Sequence, residues 1–418
     1  MSRVVIVTCV FPPETNTGGE NCCHLAQYMA EGGHTVSVVC PMPSRPKGVR
    51  YSTLEDRSRL VVRMEGKVEV VRLPTYASPE SRLFPRFRES FGFGKAAGRY
   101  IAEHLRDSQA IYSMSWPLAG NYNVARMANR LNIPVIINIQ DIYPESLASK
   151  LPRWVTFLVF PILTAWDRAI VQRAHGMVAI SDNMREVYQK TRGIPRDRIV
   201  VVPTWHDEKL FLPPADRMQA EKRYHIAHER FTFMYLGNIG RVADVEGVVG
   251  AFLVANLPDA QLLIVGEGSC KEKCKSMVKL SGATNVFFLS DPDVANVPLL
   301  QSLADVCLLP VKRGAAFSSI PSKFVSYLFS GKPVLASVDG GSDTERAILS
   351  ANCGWAVEPE NSALLTEQMK RICRLSAREL AAMGQNGLTY GLKHFSRSQF
   401  VPVLARSIES FAGISRPQ

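Results

Sequence analysis

The chain has 418 residues, 46% of them hydrophobic and 21% charged, which is room for two or three domains with their own cores and argues against a long disordered or low-complexity tract. A formal net charge of +11 favours an anionic partner, and without a zinc-finger or RNA-recognition signature it points away from nucleic acid and toward anionic lipid or phosphorylated small molecules. Nine cysteines, an odd number with no CxxC pair, fit a reducing compartment; the histidines are too scattered to suggest a metal site, and the N-terminus reads as a strand rather than a signal peptide.

In chain order, residues 4–10 are a nearly continuous β-branched run, the pattern of a strand buried on both faces of a parallel sheet. A Pro- and Gly-rich loop leads to a helix over 20–31, and residues 34–40 form the next strand. The glycines at this first turn lack the GxGxxG spacing of a dinucleotide fingerprint. Gly18 and Gly19 either let a bulky ligand approach the backbone or make a flexible turn. Residues 41–66 read as mostly irregular, with Arg45, Lys47, Arg50, Arg57 and Arg59, and a strand follows over 68–73. Residues 79–100 mix Arg and Lys with four Phe, which suits a membrane interface or, alternatively, a loop and helix that bury the rings.

A short strand over 110–113, a helix over 120–131 and a buried strand over 134–139 come next. The last ends in Gln140-Asp141-Ile142-Tyr143-Pro144-Glu145-Ser146. Polar residues just past the carboxyl end of a parallel strand are where α/β folds place their sites. Asp141 and Glu145 are therefore candidates for a base or for binding substrate hydroxyls; the other reading is a turn whose Asp caps a helix. Residues 154–166 carry no charge and are too few to span a bilayer; they either lie in a membrane surface or form a buried helix kinked at Pro161. The helical pattern runs on to 174, and strands follow over 176–181 and 199–202.

Residues 203–207 read as the crossing into a second α/β domain, giving divisions at 1–203, 204–394 and a C-terminal helix over 395–418 that returns to the first domain. The segment 207–230 is mostly polar. Strands are expected over 231–236, 261–265, 286–289 and 306–309, helices near 246–254 and 299–303, and one long helical stretch over 361–390. Glycines follow two of these strands, at Gly237 and Gly266. The most informative run is 317–334: a small-residue loop, then Pro321-Ser322-Lys323, an amphipathic helix that stops at Gly331, and an apolar strand from Val334. A loop feeding a helix N-terminus offers free N–H groups and partial positive charge to a diphosphate, here from Ser318, Ser319 or Ile320, with Arg241 and Lys323 adding full charges. The run Gly340-Gly341-Ser342-Asp343 either touches phosphate or sugar or is a plain helix cap.

FPPE…GG, LAxxMxxxGHxVxVVC, QDIYPES, VAISDNM, PTWHD, YLGNIG, LLIVGEG, DVCLLP and PSKxxSYLxSGKPVLASV occur in this order over nearly the whole chain. As a set they resemble the family-4 glycosyltransferases of the GT-B fold, most of all bacterial O-antigen and exopolysaccharide enzymes similar to L-fucosamine transferases. The resemblance implies an α/β fold of two facing Rossmann-like domains with a cleft between them. It also implies a nucleotide-diphosphate sugar as donor, with uridine the favoured base and an N-acetylated amino sugar among the candidates, retention at the anomeric carbon, and no metal or other cofactor. Carried over by position, Gly19 approaches the donor phosphates, Lys323 binds the diphosphate, and Asp141 and Glu145 lie near the reacting sugar; Gly18, Gly237, Asn238, Arg241, Gly266, Glu267, Ser318, Ser319, Ile320 and Ser326 are the further candidate donor contacts. The chain departs from the family pattern in three respects: Ser318 and Ser326 stand where Glu-x7-Glu is usual, Asn238 replaces an Arg, and the usual partner Lys is not evident, though Arg241 is near.

The reading favoured at this stage is a transferase acting on a lipid-linked or saccharide acceptor, cytoplasmic and peripheral on the anionic inner face of the cell membrane. A nucleotide-sugar epimerase and a non-catalytic membrane-associated binding protein are the alternatives.

Overall fold

The computed structural model describes all residues except 15, 45–58, 77–82, 115–117, 146–151, 227–228, 241, 292, 317–319 and 416–418, together with the side chains of 83 and 153. The chain divides into two compact units, Met1–Trp205 with Arg397–Gln418, and His206–Ser396.

The first unit is built on an eight-stranded sheet. In chain order its elements are β1 (Arg3–Thr8), α1 (Thr17–Glu31), β2 (Thr35–Pro41), β3 (Val61–Glu65), β4 (Val68–Leu73), α2 (Leu83–His104), β5 (Ala110–Met114), α3 (Ala119–Arg130), β6 (Val135–Ile139), α4 (Arg153–Gln172), β7 (Gly176–Ala179), α5 (Asp182–Arg192) and β8 (Ile199–Val201). The strand order is β3-β4-β2-β1-β5-β6-β7-β8, and only β3 runs antiparallel. Val4 to Val7 of β1 are fully buried, as a strand covered on both faces requires. The chain winds outward from β1 to β4 and restarts beside β1 at β5, so the switch point of the sheet lies between β1 and β5. Helix α1 starts there, capped by Asn16, whose side chain accepts from the Gly18 amide.

The second unit has a six-stranded, all-parallel sheet. Its elements are α6 (Arg217–Tyr224), β9 (Phe231–Leu236), α7 (Val245–Ala255), β10 (Ala260–Val265), α8 (Lys271–Ser281), β11 (Val286–Leu289), α9 (Val297–Ser302), β12 (Val306–Pro310), α10 (Ser322–Phe329), β13 (Val334–Ser337), α11 (Asp343–Ala351), β14 (Gly354–Val357), α12 (Ser362–Ile372) and α13 (Ala377–Phe395). The order β11-β10-β9-β12-β13-β14 puts the switch point between β9 and β12. The last helix, α14 (Arg397–Ala412), belongs to the first unit. It lies with α1 over the sheet, burying Val401, Leu404 and Ile408 against a core that includes Leu25, Ala26 and Met29. Burial of those three aliphatic side chains contributes on the order of 1.5–3 kcal/mol each.

Several elements differ from their expected form. Strand β3 falls in a segment read as irregular; it is an edge strand whose residues are mostly exposed, so no apolar alternation marks it. Helix α1 begins three residues before the expected start at 20. Helix α6 lies in the polar 207–230 segment. The helical stretch over 361–390 is two helices, broken where Ser376 and Glu379 form a capping box for α13. The Gly340–Asp343 run is a cap: Ser342 accepts from the Glu345 amide at 3.3 Å. The basic residues Arg45, Lys47, Arg50 and Arg57 lie outside the described residues.

Candidate functional site

The second unit gathers a site at the carboxyl ends of β9, β10 and β12. Gly237 and Gly266 follow neighbouring strands and hold φ of 143° and 138°, values that disfavour any side chain. A Cβ on Gly266 would overlap the Gly237 carbonyl, and a Cβ on Gly237 would overlap Lys323 Cε. The glycines thus open the slot in which the Lys323 stem lies. Its ammonium sits 5.1 Å from the centre of the Tyr235 ring, at the switch point of the sheet. No carboxylate pairs with Lys323 among the described residues, and burial pushes its pKa down. Lys323 is in the first turn of α10, where the helix dipole adds positive potential.

The surroundings are braced by hydrogen bonds. Tyr235 Oη donates to the Asn238 carbonyl at 2.6 Å, and the Leu236 amide donates to Tyr327 Oη at 3.1 Å. The Asp339 carboxylate accepts from the Gly314 and Ala316 amides at 2.8 and 3.3 Å, fixing the loop that leads toward α10. Ile320, half-buried, packs on the unit's core just before that helix. Asn238 is exposed beside Gly240 and Gly268. Glu267 is also exposed, and its carboxylate accepts from Lys271 Nζ at 2.7 Å and from Ser290. Arg241, Ser318 and Ser319 lie outside the described residues.

Ser326 does not fit the donor-contact expectation. It is buried, its hydroxyl donates to the Lys323 carbonyl at 2.8 Å, and it accepts from Gln301 Nε2 at 2.9 Å. Gln301 in turn accepts from Ser330. Helical periodicity turns position 326 into this polar cluster against α9. Ser326→Ala is expected to cost about 1–3 kcal/mol, because Gln301 loses a buried partner, and to leave donor affinity unchanged; urea unfolding and donor titration separate the two.

His206 has no individual role in the sequence reading, where PTWHD is a domain crossing and one motif of the family set. Its imidazole hydrogen-bonds to the backbone of Ser322, at the start of α10, and its Nε2 is buried without a partner among the described residues. Burial pushes its pKa down to about 4. A ring that is neutral when folded but titrates near 6.5 when unfolded supports stability above pH ~6.5, and that support is lost as pH falls toward about 4. His206→Gln is expected to flatten the fall in urea midpoint between pH 7 and pH 4.5. Parallel pH profiles for variant and parent would contradict this.

The first unit presents a different set at the carboxyl ends of its strands. Gly18 and Gly19 lie in the first turn of α1. A Cβ on Gly19 would be 3.0 Å from the Val10 carbonyl oxygen, and one on Gly18 3.0 Å from Met114 Cε, so the chain's own backbone and side chains fill the space beside both. Asp141, just beyond β6, is exposed and has no hydrogen-bond partner among the described residues. Its charge and, to a greater degree, burial push the neighbouring Tyr143 phenol up to about 12.

Glu145, a candidate for a base or for binding substrate hydroxyls, is instead committed to an ion pair. Both of its oxygens accept from the fully buried Arg192 of α5, at 2.5 and 2.7 Å. Arg192 also donates to the Tyr143 carbonyl at 2.7 Å and to Asp167 of α4 at 3.0 Å. Burial pushes Asp167 up to about 6, against the pull of Arg192. This ion cluster ties the loop after β6 to α4 and α5. It braces the segment that carries Asp141 and leaves Asp141 itself as the accessible carboxylate there.

Helix α4 is mostly exposed along its apolar side, so the buried-helix reading of 154–166 does not hold. Trp154, Phe157, Leu158 and Ile162 are 70%, 81%, 60% and 68% exposed. Of the four Phe in 79–100, only Phe93 is buried; Phe84, Phe87 and Phe91 are exposed. The Phe87 ring meets Trp166 of α4 edge-on at 6.2 Å, so the two apolar surfaces are continuous.

Residues 17–205 match the glycosyl transferase 4-like domain, and residues 216–389 match the glycosyl transferases group 1 domain. The chain is 21% identical over 282 residues to WbjE of Pseudomonas aeruginosa, named as a glycosyltransferase, covering 68% of each protein. It is 22% identical over 339 residues to WcaI of Escherichia coli K12, named for glycosyl transfer in colanic acid biosynthesis, covering 79% of this chain and 81% of that one. Among solved structures, HepE of Anabaena in complex with UDP and glucose superposes with a TM-score of 0.70 at 13% identity, covering 98% of this chain and all of HepE.

Proposed function

Because the chain belongs to the family-4 glycosyltransferases and has the GT-B fold, we propose that its second unit binds a nucleotide-diphosphate sugar, most simply a uridine-linked one, and that its first unit binds a lipid-linked saccharide acceptor. The enzyme works in bacterial surface-polysaccharide synthesis. One observation carries the donor assignment: a half-buried ammonium, Lys323, without a carboxylate partner among the described residues, at a helix start on the switch point of a parallel sheet. A diphosphate would supply the missing negative charge.

In the transfer, an acceptor hydroxyl oxygen bonds to the anomeric carbon while the bond from that carbon to the diphosphate oxygen breaks. The hydroxyl proton passes to the departing diphosphate, which leaves on the face the acceptor enters, so configuration is retained. Lys323 and the first-turn amides of α10 stabilise the charge that grows on the diphosphate, which gives a metal-independent route. Asp141 binds an acceptor hydroxyl and orients it. The exposed apolar surface of α4 and α2 supports the lipid-linked acceptor and a place at the inner membrane face.

The test is incubation of the full chain with a panel of uridine-diphosphate sugars, an N-acetylated amino sugar among them, and a polyprenyl-diphosphate-linked acceptor, with product read by mass spectrometry. Transfer with retention supports the proposal. Conversion of the donor sugar without acceptor, or donor binding with no transfer to any acceptor tried, would oppose it.

A further inference from the structure

We propose that the groove between α2 and α3 binds the phosphate-bearing head groups of an anionic bilayer, at the border of an apolar patch that enters the acyl boundary. This rests on the reading of the first unit as the side that meets a lipid-linked acceptor, and it adds a site that the transfer chemistry does not require.

The argument starts from one face of α2. Phe84, Phe87, Phe91, Lys95 and Arg99 follow one another at steps of three or four residues, so they form a single stripe. The stripe is apolar in its first half and cationic in its second. Phe87 and Phe91 stack at 6.4 Å, and Phe87 continues into α4 through Trp166. The apolar half therefore merges with the exposed Trp154–Ile162 side of α4, and the cationic half continues the same face of α2 toward its C-terminus.

The cationic half forms one wall of a groove of about 420 Å³. Arg126 and Arg130, one turn apart on α3, form the other wall, with Met127 between them. The groove exists because α2 and α3 cross closely: a Cβ on Gly94 would be 2.7 Å from the Gly120 carbonyl oxygen. Gly94 and Gly98 then leave a shallow floor between two rows of long side chains.

Lys95, Arg99, Arg126 and Arg130 are all exposed, and none forms an ion pair among the described residues. The acid that lines the groove, Glu103, meets the imidazole of His104 at 3.9 Å and pairs with none of the four cations. Elsewhere in this chain basic side chains do find acids, as Arg192, Arg217 and Lys271 show. Four unpaired cations beside an apolar patch match the layering of a leaflet, with phosphates at one depth and acyl chains just below. A second copy of this chain is the poorer occupant. It carries +11, and an isologous contact would bring the same four cations together.

The experiment is co-sedimentation of the full chain with vesicles of phosphatidylglycerol and phosphatidylcholine, or of phosphatidylcholine alone. The groove variant combines Lys95→Gln, Arg99→Gln, Arg126→Gln and Arg130→Gln. A control with the same charge change combines Lys370→Gln, Arg371→Gln, Arg374→Gln and Arg378→Gln, all exposed residues of the second unit. The groove variant is expected to lose at least ~10-fold in partitioning to anionic vesicles, while the control loses less than ~3-fold. Phe157→Ala with Ile162→Ala is expected to weaken binding to both vesicle types.

Equal losses in groove variant and control would overturn the proposal, because net charge alone would then explain binding. Equal parent binding to both vesicle types would overturn it too. So would a change in oligomeric state of the groove variant by light scattering, which would mark an interface between copies. Transfer to a water-soluble acceptor analogue is expected to be unchanged in the groove variant. If vesicle binding does not respond to the variant while that transfer proceeds, the head-group site is refuted and the glycosyltransferase reading stands.

Discussion

Lys323→Ala is expected to raise the donor dissociation constant roughly 10- to 100-fold, the 1.5–3 kcal/mol of a hydrogen bond to a charged group. The loss should be larger for the nucleoside diphosphate than for the nucleoside, because the ammonium addresses the phosphates. Lys323→Arg should not restore binding: the slot beside Gly237 and over the Tyr235 ring is shaped for a slender stem, and a planar guanidinium differs in width and donor geometry. Gly237→Ala should act in the same direction, since the new methyl would displace Lys323 and sit at φ 143°. Calorimetric titration with uridine diphosphate and uridine checks all three. A Lys323→Ala constant within threefold of the parent would refute the diphosphate assignment.

Arg192→Met is expected to destabilise the first unit by about 3–5 kcal/mol, the cost of leaving buried charge uncompensated. The side chain is fully buried and serves two carboxylates and a carbonyl at once. Removing it leaves Asp167 buried beside Tyr188 and the Glu145 carboxylate with no counter-ion, where its pKa would rise above the present value of about 6. The instability should therefore be relieved at acid pH, as Asp167 takes up a proton. Urea unfolding at pH 7.5 and pH 5.5, followed through tryptophan fluorescence, measures both effects. A loss under 1 kcal/mol at pH 7.5 would mean the cluster is dispensable. Transfer activity should fall with the folded fraction, and beyond it if the Asp141 loop loosens while the sheet persists.

Much of the fold was legible in the sequence because its strands are buried on both faces. Continuous β-branched runs such as those of β1, β6 and β9 leave little else to be. Strand β3 escaped because only an exposed edge position is asked of it. Lys323 and the two strand-end glycines were legible for a similar reason: Pro, Gly and a basic residue punctuate a strand–loop–helix in a way few other structures demand. Glu145 was misjudged because proximity to a strand end says nothing about a counter-ion. Arg192 stands 47 residues away, on a stripe with Met184 and Tyr188 that reads as an ordinary amphipathic helix face. The exposed side of α4 could not be told from a core helix either, since hydropathy is blind to which neighbours arrive.

The return of α14 to the first unit has a consequence for synthesis. Residues 206–396 form an unbroken segment whose ends meet, with the His206 amide donating to the Phe395 carbonyl at 3.1 Å. That segment can complete its core as soon as it leaves the ribosome. The amino-terminal sheet cannot, although it emerges first: one flank stays uncovered until residues 397–412 have been made. A nonsense codon near position 396 should thus spare the downstream module and ruin the upstream one, inverting the usual expectation that late truncations harm late structure.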